Sequence, residues 1–299
     1  MKQEDGEQMK QEDGERMKQE DGERMKQEDG ERMDRKDGEQ MKQEDGKRTE
    51  QEKQTEQEKQ TEQIERLRQI VSSSDNIVFF GGAGVSTESG IPDFRSVDGL
   101  YHQKYEYSPE TILSHTFYRK RPEEFYRFYK EKMIGFDASP NAAHYKLAQW
   151  EKEGKLKAVI TQNIDGLHQA AGSRKVLELH GSTLRNYCEN CGKFFDADYI
   201  RQAEGVPVCD ACCGPVKPDV VLYEEGLDQA VLSEAVRCIK NADVLIIGGT
   251  SLVVYPAAGL IDYYQGGRLV LVNRTPTARD TAADLVVQGS IGEIFSRLP

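Results

Sequence analysis

Hydrophobic side chains are missing from the N-terminal part of the chain. Residues 1–63 contain no Val, Leu, Ile, Phe, Tyr or Trp, and methionine is their one large apolar residue type. A segment with so little to bury cannot offset the conformational entropy that ordering would cost. We therefore expect residues 1–61 to be a low-complexity polar tail, disordered or partly helical, that adds nothing to a core.

Long apolar runs and an excess of positive charge are also missing. No run approaches the roughly 18 apolar residues of a membrane span, and no N-terminal apolar stretch marks a signal peptide. A net charge of -12 and a sequence pI of about 5.1 argue against direct nucleic-acid binding. Six cysteines in a chain of this kind favour metal binding or burial over disulfides. These features predict a cytoplasmic protein with no membrane contact.

The tail is a repeat. Methionine recurs every eight residues from Met1 to Met41, each five residues before a glycine. A unit with one apolar residue cannot bury a face against its neighbour, so the array is not a solenoid. A spacer, a partner tether and an expansion without function remain open for the tail, and its partners are unknown. Helix-forming residues then lead to apolar positions at helical spacing, which predicts a packed helix from about Glu62 with a helical extension upstream.

Five apolar runs in the rest of the chain have the length of strands, and helix-length segments such as Pro122–Met133 and Asn141–Glu153 lie between them. Several runs are too continuously apolar for a sheet with one wet face, so they indicate parallel strands covered on both sides. The pattern predicts an α/β fold with a doubly wound parallel sheet and a ligand site at the carboxyl ends of its strands. The runs are Asn76–Phe80, Leu156–Thr161, Ala242–Gly248, Arg268–Asn273 and Asp284–Gln288.

Four cysteines form two closely spaced pairs, Cys188 with Cys191 and Cys209 with Cys212. Two such pairs at this separation are typical of a tetrahedral structural zinc site. Four thiolates leave the ion no open position, so the zinc would be structural and not catalytic. Cys213 stays open as an alternative to Cys212. We expect residues 186–218 to be a small inserted module that depends on this metal.

Polar motifs follow the predicted strands. The glycine turn from Gly81 to Gly84 runs into a predicted helix, an arrangement that can bind a pyrophosphate or can be only a tight turn. Gln162, Asn163 and Asp165 follow the next strand, where amides and a carboxylate can bind hydroxyl and carboxamide groups or can cap a helix.

Three further positions carry chemistry that the residues alone leave open. His180 precedes a glycine, which is more often structural, but a histidine is the natural general base if it faces a cleft. The Thr250-Ser251 pair and Asn273 follow two more predicted strands, where they fit either the second half of a dinucleotide site or simple turns.

Together and in this order, the motifs resemble the sirtuin family of NAD-dependent protein deacylases, in its bacterial type. They are GAGVSTESGIPDFRS, TQNIDGLH, LHGS, the paired cysteines, GGTSLVVYPA and LVN. The resemblance implies that residues 62–299 are a Rossmann-like catalytic domain with an inserted zinc ribbon. It implies NAD as co-substrate, one structural Zn2+ and an acetylated-lysine protein or peptide as partner. In that reaction the acyl group moves from lysine to ADP-ribose and nicotinamide is released.

The resemblance also assigns roles to residues. His180 would be the general base, and Asn163 and Asp165 would be catalytic with it. Phe94 would shield the reacting ribose carbon once nicotinamide has left. The residues that would contact NAD are Ala83, Thr87, Phe94, Arg95, Gln162, Ile164, Asp165, His180, Thr250, Ser251, Asn273 and Ile291.

Two departures from the family pattern bear on the substrate. Glu224 stands where the family usually has glycine, in a strand that pairs with the substrate peptide, and we expect its carboxylate to favour basic peptides. Tyr126 and Tyr129 stand where relatives that prefer acidic acyl groups carry a Tyr-x-x-Arg pair, so we expect deacetylation over desuccinylation. A mono-ADP-ribosyltransferase and a non-catalytic NAD-responsive binding module remain the alternatives.

Overall fold

The chain folds around a parallel sheet that a helix precedes. The computed structural model describes residues 55–93, 106–134 and 136–299. Residues 1–54 of the tail predicted for residues 1–61 lie outside the described residues, as do Phe94 and Arg95 with their predicted roles. Residues 60–299 form one unit.

Helices lie where helical spacing predicted them. The first, α1, covers residues 55–72, and its apolar positions Ile64, Leu67 and Val71 are buried. Two longer helices, α4 and α5 below, match the predicted segments Pro122–Met133 and Asn141–Glu153 to within one residue at each end. The remaining helices are α2 (Pro109–Ile112), α3 (His115–Lys120), α4 (Pro122–Lys132), α5 (Ala142–Lys152), α6 (Leu167–Ala170), α7 (Ala197–Gln202), α8 (Gln229–Asn241) and α9 (Ile291–Ser296).

The nine strands that the structure describes form two sheets. Six build a parallel sheet in the order β3-β2-β1-β7-β8-β9, and three build a sheet in the order β5-β4-β6. The parallel sheet contains all five predicted strands. The strands are β1 (Ile77–Gly81), β2 (Leu156–Thr161), β3 (Val176–Glu178), β4 (Gly181–Cys188), β5 (Phe194–Phe195), β6 (Val216–Val220), β7 (Val244–Gly248), β8 (Arg268–Asn273) and β9 (Leu285–Gln288).

Both faces of the six-stranded sheet are covered. Phe79 and Ile246 point into a cluster with α1, α5 and α9, whereas Phe80 and Ile247 point into a cluster with α8 and the 3-10 helix Ala257–Tyr263. Strand side chains alternate between faces, so a strand with two dry faces must be apolar throughout. The prediction of a doubly wound parallel sheet is confirmed.

The three-stranded antiparallel sheet belongs to the cysteine-rich module. Aromatic side chains of α3 and α4 pack against it in a third cluster that includes Cys188, Phe195 and Val216. The Tyr126 hydroxyl donates a hydrogen bond to the Val216 carbonyl, and so ties α4 to β6. The module is therefore held by an apolar core as well as by its cysteines.

The prediction of a helix after the glycine turn is wrong. Two 3-10 helices, Ala83–Val85 and Thr87–Ser89, stand in its place. Gly90 ends the second in the left-handed region with φ +86°, and Pro92 follows two residues later. Both residues disfavour a continuing helix. Among the described residues no helix combines the length and apolar character that crossing a bilayer requires.

Candidate active site

The predicted motifs meet at one edge of the parallel sheet. Gly81 at the end of β1 is in register with Thr161 at the end of β2 and with Gly248 at the end of β7. From β1 the chain crosses to β2 on one side, and β7 lies on the other side, so this edge contains a topological switch point. Open α/β sheets bind ligands at such points, outside the carboxyl ends of their strands.

Two glycine turns approach each other at backbone distance. The Gly84 N–H donates to the Gly249 carbonyl with an N···O distance of 2.8 Å. A Cβ on Gly84 would lie 2.8 Å from Gly249 Cα, and a Cβ on Gly249 would lie 2.3 Å from the Val85 nitrogen. The glycines are thus needed for this close approach. Ala83 lies on the first turn, and the Thr87 hydroxyl donates to the Gly84 carbonyl at 3.0 Å.

A hydrogen-bonded chain joins the first turn to the polar residues after β2. Asn163 Nδ2 donates to the Ser86 hydroxyl at 3.0 Å, and that hydroxyl donates to Asp165 Oδ2 at 2.7 Å. The other carboxylate oxygen accepts from the Leu167 N–H at 2.9 Å, so Asp165 also bonds the first N–H of α6. Sequence reasoning missed Ser86. Its position next to Thr87 in the glycine-turn motif was the available signal.

Gln162 and Ile164, in the same segment after β2, make contacts with Thr250 after β7 and with Thr183 on β4. Gln162 Nε2 donates to the Thr250 hydroxyl at 3.1 Å. The Ile164 carbonyl accepts from both the N–H and the hydroxyl of Thr183, at 2.9 and 3.0 Å. Hydrogen bonds to Ser86, Thr250 and Thr183 therefore hold the segment from Gln162 to Asp165 in place.

His180 lies in the connection between β3 and β4, half-buried beside the end of β2. Its Nδ1 is 3.0 Å from the Gln162 carbonyl oxygen. A carbonyl only accepts, so Nδ1 carries the hydrogen and Nε2 keeps a lone pair when the ring is neutral. Burial lowers the pKa of His180 below its ordinary value, while the hydrogen bond to Gln162 acts in the opposite direction. The neutral ring therefore prevails at neutral pH, with Nε2 able to take a proton.

The ends of β7 and β8 supply the other half of the edge. Asn273 Oδ1 accepts from the Thr250 N–H at 2.9 Å, whereas Asn273 Nδ2 is buried with no hydrogen-bond partner in the described part of the chain. Ser251 is exposed beside them. Ile291, at the start of α9, covers Gly248: a Cβ on that glycine would lie 2.3 Å from Ile291 Cδ1. A buried donor without a partner beside an apolar wall fits a ligand with polar and flat apolar parts, such as an adenosine group.

Glu88 joins the 3-10 helix Thr87–Ser89 to α9, a contact that the sequence did not predict. Its Oε2 accepts from the Gly292 N–H at 2.7 Å. A Cβ on Gly292 would lie 2.9 Å from both carboxylate oxygens, so the carboxylate rests against bare backbone. The position of Ile291 therefore depends on the 3-10 helix that contains Thr87.

The four paired cysteines converge. The sulfur atoms of Cys188, Cys191, Cys209 and Cys212 all lie within 4.8 Å of one another. Cys188 Sγ is 3.3 Å from Cys212 Sγ, and Cys191 Sγ is 3.7 Å from Cys209 Sγ. Thiolates at about 2.3 Å from a tetrahedral zinc ion have nearly this spacing. The donor set and geometry fit one structural Zn2+, and Cys213 is outside the cluster.

Glu224 occupies a strained backbone position beside α3. The chain after β6 pairs with the segment before α3, since the Tyr223 N–H donates to Leu113 and the His115 N–H donates to Tyr223. Glu224 follows with φ +75°, a conformation that favours glycine. Its Oε2 accepts from the Thr116 N–H at 2.8 Å, and this contact lowers the pKa of the carboxyl. The carboxylate is thus charged and anchored at this surface.

Tyr126 and Tyr129 are both buried in α4. Burial raises the pKa of each phenol, so both stay neutral at neutral pH. The Tyr129 hydroxyl has no hydrogen-bond partner among the described residues. Neither side chain supplies a cation.

Comparison with known proteins gives consistent matches. The Sir2 family model matches residues 82–256. An NAD-dependent protein deacetylase of Clostridium acetobutylicum is 61% identical over 77% of this chain and 95% of its own length. A Staphylococcus aureus protein of the same name is 43% identical over 78% of this chain and 96% of its own length.

Solved structures match over the same part of the chain. A Sir2 structure with a p53 peptide and NAD+ has a TM-score of 0.70 and 42% identity, over 78% of this chain and 96% of that chain. A Sir2 structure bound to a propionylated peptide has a TM-score of 0.70 and 40% identity, over 78% and 96% of the two chains.

Proposed function

The chain belongs to the Sir2 family, and we propose that it is an NAD-dependent protein-lysine deacetylase whose chemistry takes place at the carboxyl edge of the six-stranded sheet. The observation that carries the proposal is the setting of His180. Its Nδ1 is held by the Gln162 carbonyl, in the segment after β2 that also contains Asn163 and Asp165. One base is thereby oriented beside the polar groups that a ribose and a carboxamide require.

We assign NAD to the carboxyl edge of the parallel sheet, between His180 and Ile291. The pyrophosphate would bind beside the first glycine turn, Gly81–Gly84, which follows β1 at the switch point of the sheet. The unpartnered Nδ2 of Asn273 supports an adenosine-side contact. The proposed NAD contacts are Ala83, Thr87, Phe94, Arg95, Gln162, Ile164, Asp165, His180, Thr250, Ser251, Asn273 and Ile291.

Bound NAD supplies a ribose carbon that is activated by its nicotinamide leaving group. His180 Nε2 would accept a proton from a ribose hydroxyl, because the Gln162 contact leaves its lone pair free and the lowered pKa keeps the ring neutral at neutral pH. Asn163 and Asp165 would orient the nicotinamide and ribose groups, and the Ser86 hydroxyl joins these two side chains by hydrogen bonds. The net reaction would consume NAD, the acetylated lysine and one water, and would release nicotinamide, O-acetyl-ADP-ribose and free lysine.

Zinc has a structural role in this scheme. Cys188, Cys191, Cys209 and Cys212 would fill all four positions of a tetrahedral ion, so no position is left for a substrate. The ion would hold the ends of β4 and the loop before β6 together. That strand pair starts one residue after His180, so zinc supports the base indirectly.

The substrate is an acetylated lysine in a protein or peptide. Tyr126 and Tyr129 provide no positive charge for an acidic acyl group, which supports acetyl over succinyl. The anchored carboxylate of Glu224 supports a preference for basic residues beside the lysine. Direct binding to nucleic acid or to a membrane has no role in the proposal.

We further propose that residues 62–299 form the catalytic domain, with residues 186–218 as its zinc module, and that the protein acts in the cytoplasm. None of the six cysteines, all within the described residues, forms a disulfide. Thiols in this state suit a reducing compartment.

Labelled NAD separates the deacetylase from its nearest rival. With NAD labelled in the ADP-ribose part and an acetyl-lysine peptide, the proposal requires label in O-acetyl-ADP-ribose. Label attached to protein would instead identify a mono-ADP-ribosyltransferase. Label that stays in NAD, with binding intact, would identify a non-catalytic NAD-responsive module.

A further inference from the structure

A two-residue connection that contains His180 links the two sheets. Glu178 is the last residue of β3 in the parallel sheet, and Gly181 is the first residue of β4 in the antiparallel sheet. Leu179 donates its N–H to Thr161, on β2 of the parallel sheet. The His180 carbonyl accepts from the Val221 N–H, which follows β6 of the antiparallel sheet. A change in the angle between the two sheets would therefore move the His180 imidazole directly.

Arg185 bridges this connection. Its NH1 donates to Glu178 Oε2 at 2.7 Å, and its Nε donates to Asp219 Oδ2 at 2.8 Å. Glu178 ends a strand of one sheet, whereas Asp219 lies on β6 of the other. One planar guanidinium thus joins the two sheets through two charge-assisted hydrogen bonds.

Both anchors of Arg185 are themselves held. The Glu178 side chain is 10% exposed, and its second oxygen accepts from Gln169 Nε2 at 2.8 Å. Asp219 is in register with Ser182, two residues after His180. A Cβ on Gly181, whose φ is +77°, would lie 1.9 Å from the Asp219 carbonyl oxygen. The β6 backbone at Asp219 is thus in direct contact with Gly181, next to His180.

We propose that Arg185 is a positioning residue that fixes the angle between the two sheets and thereby the distance from His180 to the ligand edge of the parallel sheet. This inference rests on the proposed deacetylase function. An ordinary surface ion pair contributes little. The Arg185 contacts differ because they span two sheets and because removing the guanidinium leaves the nearly buried Glu178 carboxylate without its cation.

The test compares Arg185→Met with Arg237→Met. Arg237 also donates two hydrogen bonds to a carboxylate, but both go to Glu234 within helix α8. Three quantities are measured on the full chain: kcat on an acetyl-lysine peptide, the Kd of ADP-ribose by calorimetry, and Tm. We expect Arg185→Met to lower kcat by about tenfold, since a displacement of the base by a fraction of an ångström has effects of this size.

The ADP-ribose Kd of Arg185→Met should stay close to that of the wild type, because the proposed contacts of ADP-ribose lie mainly on the parallel sheet. Arg237→Met should keep both kcat and Kd. Arg185→Lys should fall between wild type and Arg185→Met, since one ammonium cannot reproduce the two fixed donors. Should Arg185→Met fail to fold, Asp219→Ala removes one anchor only and should lower kcat at constant ADP-ribose Kd.

An unchanged kcat in Arg185→Met would overturn the inference. So would a parallel loss of kcat, ADP-ribose affinity and Tm, which indicates general destabilisation. A wild-type protein that neither binds ADP-ribose nor deacetylates the peptide would overturn the proposed function itself, and that failure is seen before any variant is made.

Discussion

The Ser86 hydroxyl donates a 2.7 Å hydrogen bond to the carboxylate of Asp165, across 79 residues of sequence. The same hydroxyl accepts from Asn163 Nδ2 at 3.0 Å. One small side chain on the first turn therefore sets the orientation of two proposed catalytic groups after β2. Ser86 is 1% exposed, so water cannot easily replace it.

Ser86→Ala should lower kcat/KM for NAD by about tenfold or more, because it leaves an amide and a carboxylate without their shared partner. Steady-state kinetics with an acetyl-lysine peptide measure this. Ser73→Ala is the matched control, since Ser73 is exposed and its hydroxyl donates to the carbonyl of the nearby Ile70. Equal kcat/KM for the two variants would show that the Ser86 hydroxyl does not position Asn163 and Asp165 for the reaction.

The pH dependence of the reaction should reflect His180. Burial holds the pKa of His180 below its ordinary value of 6.5, so the ring stays neutral and active as pH falls to that value. The acid limb of kcat/KM should have its midpoint below pH 6.5. His180→Ala should lose about 100-fold or more of the activity and show no such limb. An acid limb centred above pH 6.5, or full activity in His180→Ala, would remove the base assignment.

The two adjacent cysteines, Cys212 and Cys213, should respond differently to substitution. Cys212→Ser removes a member of the four-sulfur cluster, whereas Cys213→Ser changes an exposed side chain outside it. Zinc binding at closed thiolate sites contributes about 10 kcal/mol or more to folding. Metal analysis should therefore find one zinc per chain in Cys213→Ser and a strong loss in Cys212→Ser, together with loss of activity. The reverse result would make Cys213 the ligand.

Glu224→Gln should weaken the preference for basic peptides. The amide oxygen can still accept from the Thr116 N–H, so the change removes charge and keeps the anchor. We expect kcat/KM for a peptide with flanking Lys or Arg, relative to a neutral peptide, to fall by about twofold to fivefold. Glu204→Gln, at an exposed carboxylate of the zinc module, is the control. Wild-type protein that gains nothing from flanking basic residues would end this account of specificity.

Most of the parallel sheet was predictable because its strands are apolar on both faces. Runs such as Leu156–Thr161 and Arg268–Asn273 have the observed bounds. The three-residue β3 and the two-residue β5 escaped prediction, since a hydrophobic period cannot be recognised over so few positions. The helix expected after the glycine turn failed at Gly90, where the left-handed backbone ends the second 3-10 helix.

The polar residues at strand ends were also predictable, because parallel strands bring their carboxyl ends to one edge. Their pairings were not. Ser86 with Asp165, Glu88 with Gly292 and Arg185 with Glu178 depend on which strands are neighbours and on the angle between two sheets. Neither the strand neighbours nor that angle can be inferred from the spacing of residues in the sequence. The structure therefore adds to the motifs the contacts that hold them in place.

Incubation of the purified protein with an acetyl-lysine peptide, in the presence and absence of NAD, tests the central claim most directly. Mass spectrometry would follow the peptide and the NAD products together. The account predicts no deacetylation without NAD, and with NAD one free nicotinamide and one O-acetyl-ADP-ribose for every lysine released. Deacetylation that proceeds without NAD, or an unchanged peptide in the presence of bound NAD, would contradict it.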